Sequence, residues 1–308
     1  MVPPVFDSEG ARCLAVAVLA AAFLISFAGN GLIGLAVASE RRLHRPMFIF
    51  VAAIAASDVV SSAASLPRVI ANALGLNRIA FGEAMSQMFF VHFATRVQSF
   101  VLSAMSLDRC LAVVRPLRYR AIASNARALA AVAAATLLAL AFGLVNIYLL
   151  LAMDACAPLV NPSLVCDALS VLHMLCGDVT HAVRYSYTML AVAVVLPAGF
   201  ICLMYALILN ECCKRDGYRK ALRTCGSHLL VVSVYYTSIL FSFVKGFIGV
   251  ESLPVGIKMF FQLAHFILPP ALNPIIYGLC TAKIRRAIAG MFRSKVHPGN
   301  GVVGRRDS

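Results

Sequence analysis

The residues that could do chemistry in this chain are few and sit in unusual surroundings. Asp58 stands alone in the apolar run Met47–Pro67, and His92 and Arg96 stand in the apolar run Ala84–Leu107. His92, Arg96 and Ser99 recur at helical spacing and share one face, with Thr95 beside them. An arginine keeps its proton at any ordinary pH, so Arg96 must face the protein interior, water or an anion. A buried carboxylate needs amide donors or a cation, and Asn30 and Asn273 sit at comparable depth in other apolar runs. Those three side chains form a candidate sodium site, or a polar knot that only specifies packing. No paired carboxylates share a face, and no Ser/His/Asp set, HExxH motif or zinc-type Cys/His spacing occurs. The chain reads as a non-enzyme with no cofactor.

The elements that carry these groups follow from composition. A soluble protein is roughly half apolar and a quarter charged; this chain is 61% apolar and 13% charged. Its apolar residues fall into blocks long enough to cross a bilayer, which takes about 20 helical residues. Seven such spans are expected, at 13–39, 47–72, 85–108, 128–152, 186–210, 224–248 and 259–281. No ten-residue alternation suggests a barrel. The predicted fold is an all-α membrane protein, a seven-transmembrane helix bundle forming one domain over 1–295. Within the seventh span, Pro274 removes a backbone hydrogen bond and permits a kink. After it, "KIRRAIAGMFRSK" alternates apolar and basic faces, which predicts a short amphipathic helix at 283–293 lying on the membrane surface. Residues 296–308 read as a disordered tail.

Orientation follows from the basic residues beside the span ends. The connections after spans one, three and five, together with the tail, hold 20 of the 27 Lys and Arg residues. This places the N-terminus outside and the C-terminus in the cytoplasm of a multi-pass plasma-membrane protein. The +14 net charge belongs to that asymmetry and to contact with anionic lipid, and no nucleic-acid partner is expected. Asp108, Arg109, Arg115 and Arg118 then crowd where the third span meets the cytoplasm. Cys156, Cys166 and Cys176 fall in the long outer connection, where disulfides persist.

From the residues alone a receptor, a seven-span transporter or a non-signalling scaffold all remain open, although the absence of an internal repeat argues against a transporter. The ordered motifs narrow the choice. "FAGNGLIG", "RLHRPMFIFVAAIAASD", "QMFFVHF", "MSLDRCLAVVRPLRY", "KALRTCGSHLLVVSVYY" and "PPALNPIIYG" resemble, in order and spacing, the signatures of odorant receptors of the rhodopsin-like G-protein-coupled class. The resemblance runs nearly end to end.

It implies a small-molecule odorant bound between spans three, five, six and seven, and activation of a heterotrimeric G protein of the stimulatory olfactory type. A related chemoreceptor acting outside olfaction is the alternative. The implied ligand-binding residues are His92, Thr95, Arg96, Ser99, Met189, Tyr236, Ile239, Leu240, Phe243 and Phe266. The implied switch and coupling residues are Asp108, Arg109, Tyr205, Asn273, Pro274 and Tyr277. The chain also departs from the family pattern. Ala84 replaces a cysteine whose usual partner corresponds to Cys166, which leaves Cys156–Cys176 as the implied disulfide. Cys110 replaces the tyrosine after Asp-Arg, and Gln98 replaces an acidic residue of the third span.

Overall fold

The computed structural model describes residues 8–76, 78–154, 165–166, 171–172, 175–214, 218–244 and 255–294. Helix α1 (Glu9–Ser39) begins at Ser8, whose hydroxyl accepts the Ala11 amide and satisfies a first-turn donor. α2 (Pro46–Ala73) starts on a proline, whose missing N–H costs nothing at that position. α3 (Phe81–Val114) is the longest unbroken helix described, and it ends where Pro116 opens the short α4 (Pro116–Ile122). α5 (Asn125–Leu151) is capped by Ser124, which accepts the Arg127 amide.

α6 (Thr180–Lys214) contains a π-helical stretch at Ala191–Val195, just before Pro197 interrupts the hydrogen-bond ladder. Ahead of it, hydrogen bonds from the hydroxyl and amide of Thr180 hold the Asp178 carboxyl below its usual range. α7 (Tyr218–Val244), α8 (Val255–Cys280) and α9 (Ala282–Ser294) complete the described helices.

Six of these helices are long and apolar enough to cross a membrane: α1, α2, α3, α5, α6 and the Leu263–Cys280 part of α8. The seventh span is the shorter apolar segment Cys225–Phe241 within α7. Leu14, Leu24, Leu35, Leu137 and Leu203 are each more than half exposed, as a lipid-facing surface requires. The inner faces close on one another in a seven-transmembrane bundle: α3 packs on α2, α5, α6 and α7, and α8 packs on α1, α2 and α7. α3 extends past its expected end at residue 108 because nothing before Pro116 interrupts its ladder. α9 falls where the surface helix was predicted and buries Ile284 completely, with Ile288 and Met291 packed on the main core. The expected tail at 296–308 lies outside the described residues.

At two glycines the helices pack too closely for a side chain. A Cβ on Gly29 would stand 2.7 Å from Pro274 Cβ, so α1 lies directly against the proline of α8. A Cβ on Gly143 would stand 2.7 Å from the ring of Phe89, which stacks on Phe93. One side of α3 therefore rests on a flat patch of α5.

Candidate functional site

The polar residues of the bundle interior form three groups along α3. The middle group centres on Asp58, which is fully buried. Gln98 donates to one carboxylate oxygen at 2.6 Å and Asn273 donates to the other at 2.8 Å. Asn30 turns elsewhere, giving its amide protons to the carbonyls of Ser26 at 2.9 Å and Pro270 at 2.8 Å. The Pro270 carbonyl lies one helical turn before Pro274, whose missing N–H would otherwise leave it without a donor. Asn30 thus repairs the backbone of the broken seventh span across a helix interface. The side-chain oxygens of Asn30 and Asn273 and the Tyr277 hydroxyl are buried with no hydrogen-bond partner among the described residues.

The second group lies toward the end of the bundle that carries Cys166. Thr95 and His265 Nε2 share a hydrogen bond of 3.1 Å, and Ser238 lies 3.4 Å from His265 Nδ1. Tyr235 donates to the Thr95 carbonyl at 2.7 Å, and Ser99 and the Tyr236 hydroxyl lie 3.2 Å apart. α3, α7 and α8 are therefore joined through polar side chains rather than only by apolar packing. Arg96 is buried on the side of α3 that faces α5 and α6, within electrostatic reach of Tyr185, which donates to the Phe142 carbonyl at 2.6 Å.

Of the remaining predicted ligand residues, His92, Met189 and Tyr236 are half-buried and Ile239 is buried. Phe266 packs among Leu19, Leu66, Val69 and Leu263, toward α1 and α2. Leu240 is 59% exposed and is not brought into this group. The side chain of Phe243 lies outside the described residues.

The third group lies at the arginine-rich end. Asp108 and Arg109 are both buried, and the Arg109 guanidinium donates twice to Asp108 Oδ2. The other carboxylate oxygen, Oδ1, accepts from the Tyr119 hydroxyl of α4 at 2.9 Å. Burial first, and then the Asp108 charge, push the Tyr119 hydroxyl up to about 12, so it stays a donor at any physiological pH. Within electrostatic reach of Arg109, Tyr205 of α6 and His228 Nδ1 of α7 share a hydrogen bond of 2.7 Å. Cys110, Cys212 and Cys225 complete the packing there, so the cysteine that replaces the family tyrosine serves as core. His228, His265, Tyr185 and Gln87 are polar partners that the pattern of the sequence did not single out.

The arrangement is an interior polar path with a cation–carboxylate pair at one end and no catalytic geometry among the described residues. Over residues 19–295 the sequence matches the family model described as "Olfactory receptor". The chain belongs to the olfactory receptor family. Human olfactory receptor 52Z1P is 31% identical over 277 residues, spanning 88% of this chain and 91% of that protein. Human olfactory receptors 52B6 and 52P1 are each 32% identical over 274 residues; the alignments span 88% and 86% of this chain, and 82% and 84% of theirs. As an olfactory receptor the chain is a multi-pass membrane protein that signals rather than an enzyme.

Family membership gives the departure at Ala84 its meaning. Ala84 is buried in one apolar cluster with Met88, Leu150 and Cys166. Instead of a covalent link from α3 to this segment, Gln87 accepts the Cys166 amide at 3.0 Å and donates to the Ala64 carbonyl at 3.0 Å. Cys176 takes part in a disulfide, and its amide donates to the Asp154 carbonyl at 2.8 Å. Cys156, its partner by family resemblance, lies outside the described residues.

Proposed function

We propose that this olfactory receptor binds a small odorant between α3, α6, α7 and α8 and activates a stimulatory olfactory-type G protein, with its N-terminus outside the cell. The observation that carries the reading is the way α7 is held. Its outer half is joined to α3 and α8 through Tyr235, Tyr236 and Ser238, and its inner half is joined to α6 through His228. A ligand that competes for the Ser99–Tyr236 and Ser238–His265 contacts has differential affinity for a state in which α7 has moved, which is all an agonist needs. His92, Arg96, Met189 and Ile239 extend the same pocket, and Phe266 supports it from the α1 and α2 side.

Outward movement of α7 separates His228 from Tyr205 and opens the surface around Arg109, which then leaves Asp108 for the G protein. Tyr205 and Tyr277 are free in that state to fill the space left behind. Asn273 and Pro274 form the hinge in α8. A sodium ion that held the resting packing together would have to share Asp58 with Gln98 and Asn273, with the partnerless amide oxygens of Asn30 and Asn273 as its further donors. A Cys156–Cys176 disulfide would close the outer connection over the pocket. α9 would lie on the inner leaflet through its basic face.

The test is cyclic AMP in cells that display the tagged receptor, challenged with an odorant panel. The expected result is a response to at least one odorant that Arg109→Ala abolishes at equal surface level. An undiminished response in that variant would remove Arg109 from the switch, and an amino-terminal tag reachable only after permeabilisation would reverse the orientation.

A further inference from the structure

The arginine-rich end of the bundle holds a group of thiols that the switch itself does not use. Cys110 of α3, Cys212 of α6 and Cys225 of α7 are buried in one cluster with Met204 and Ile208, and all three are free cysteines. Three helices therefore meet there through sulfur atoms. Cys212 and Cys225 stand near adjoining ends of consecutive helices, since α6 ends at Lys214 and α7 begins at Tyr218. They share their helix faces with the Tyr205–His228 contact: Cys212 follows Tyr205 by two turns, and Cys225 precedes His228 by one. Cys225 lies within electrostatic reach of Arg109, of Cys212 and, more weakly, of Cys110.

We infer that Cys212 and Cys225 are a reversible oxidation site, a dithiol that a peroxide converts into a disulfide tying α6 to α7. This lock rests on the reading above that α7 moves away from α6 on activation. A thiol shut in apolar packing is inert, because the thiolate is the nucleophile and it needs water around it. The movement that parts His228 from Tyr205 admits water to the cluster. One sulfur, as thiolate, then attacks a peroxide oxygen, displaces hydroxide and becomes a sulfenic acid. When the helices close again, the second thiol attacks that sulfur, forming the S–S bond and releasing water. The two thiols give up two electrons and two protons, and one peroxide becomes two waters. The bond holds α7 against α6, so it silences receptors that have just opened. At a cytoplasmic end such a bond is transient, and the cell's own thiols return the pair to its reduced form.

Hydrogen peroxide is the probe, applied to membranes from cells expressing the full chain and followed by thiol blocking, digestion and mass spectrometry. The expected product is a peptide pair linked through Cys212 and Cys225 that dithiothreitol separates. His228→Phe, which lacks the contact between the two helices, is expected to gain the link faster than wild type. In intact cells the same treatment is expected to remove most of the cyclic AMP evoked by any odorant active beforehand, with recovery after washout. Cys225→Ala and Cys212→Ala are each expected to resist that loss. Cys213→Ala, at an exposed position beside the pair, is expected to be as sensitive as wild type.

Wild type without a Cys212–Cys225 link after peroxide overturns the inference, whatever the alanine variants do. A link through Cys110 instead overturns the pairing, and a linked receptor that signals undiminished overturns the lock. A link that forms no faster in His228→Phe removes helix opening as the route to the thiols. A wild type silent to every odorant before peroxide counts against the receptor reading alone, because the peptide map decides the disulfide by itself.

Discussion

The Tyr205 hydroxyl and His228 Nδ1 stand 2.7 Å apart with their rings stacked at 5.9 Å, joining α6 to α7 beside the buried Arg109. His228 is itself fully buried, so no water can replace this contact without the helices parting. His228→Phe keeps an aromatic ring and removes the nitrogen that shares the hydrogen bond. A net hydrogen bond of about 1 kcal/mol lost from one state shifts a two-state balance by several-fold. The expected result is agonist-independent cyclic AMP raised by about two- to tenfold. Basal signalling equal to wild type at matched surface level would show that the pair does not hold the resting form.

Asp108 is shared between Arg109 and Tyr119, and the two partners separate by substitution. Tyr119→Phe removes one neutral hydrogen bond and should raise basal activity modestly, by about two- to fivefold. Asp108→Asn removes the charge that holds Arg109 and should raise it further. The pH dependence has a definite sign. The proton on Tyr119 is held more tightly in the fold than at the unfolded value of about 10, so its contribution is complete below that pH. It is lost only as pH rises through about 12. The difference between Tyr119→Phe and wild type should therefore be constant from about pH 6 to 9. A difference that changes across that interval would mean another group titrates at the contact.

The glycines of α1 test packing without touching any polar group. Gly29→Ala would set a methyl 2.7 Å from the Pro274 ring, a rigid neighbour within α8. Overpacking of this kind costs about 1–3 kcal/mol. Gly31→Ala and Gly34→Ala meet open space and serve as controls. Gly29→Ala should lower the melting midpoint of the detergent-solubilised receptor and its surface level, with both controls near wild type. A Gly29→Ala protein as stable as the controls would mean that α8 yields at the proline.

Hydropathy pointed to the membrane-spanning helices, since a span needs an apolar run and little else to form in lipid, but it gave no sign of α4, and within α7 only the shorter segment Cys225–Phe241 is apolar. The family signatures pointed to Asp58, Arg109 and Asn273, which the bundle does bring to its interior. Pairing across the bundle was not legible, because it depends on helix rotation and depth, which a run of leucines and alanines leaves open. Asn30 matches Asp58 in depth along the sequence, yet it serves the Pro270 carbonyl, while Gln98 takes its place beside the carboxylate. His228 and His265 lie in polar motifs of the sixth and seventh spans, and only the register against Tyr205 and Thr95 shows their use. Leu240 was implied as a pocket residue by the family resemblance alone, and it is 59% exposed.

Gln87 stands where the family's covalent tether is missing. One amide side chain holds the Cys166 segment to α3 and joins it to α2, with one acceptor and one donor contact in use. Gln87→Ala leaves the Cys166 amide without that acceptor in a buried cluster, at a cost of about 1–3 kcal/mol. Gln87→Glu keeps an acceptor for Cys166 but, when ionised, buries a carboxylate against the Ala64 carbonyl, so it is no milder a change. Both variants are expected to melt below wild type, measured on the solubilised receptor, with surface staining lowered in both. The contact lies at the Cys166 end of α3, away from Asp108 and Arg109, so agonist potency should fall with stability in Gln87→Ala while basal activity stays unchanged. Identical melting of Gln87→Ala and wild type would show that apolar packing around Ala84 holds the segment without it.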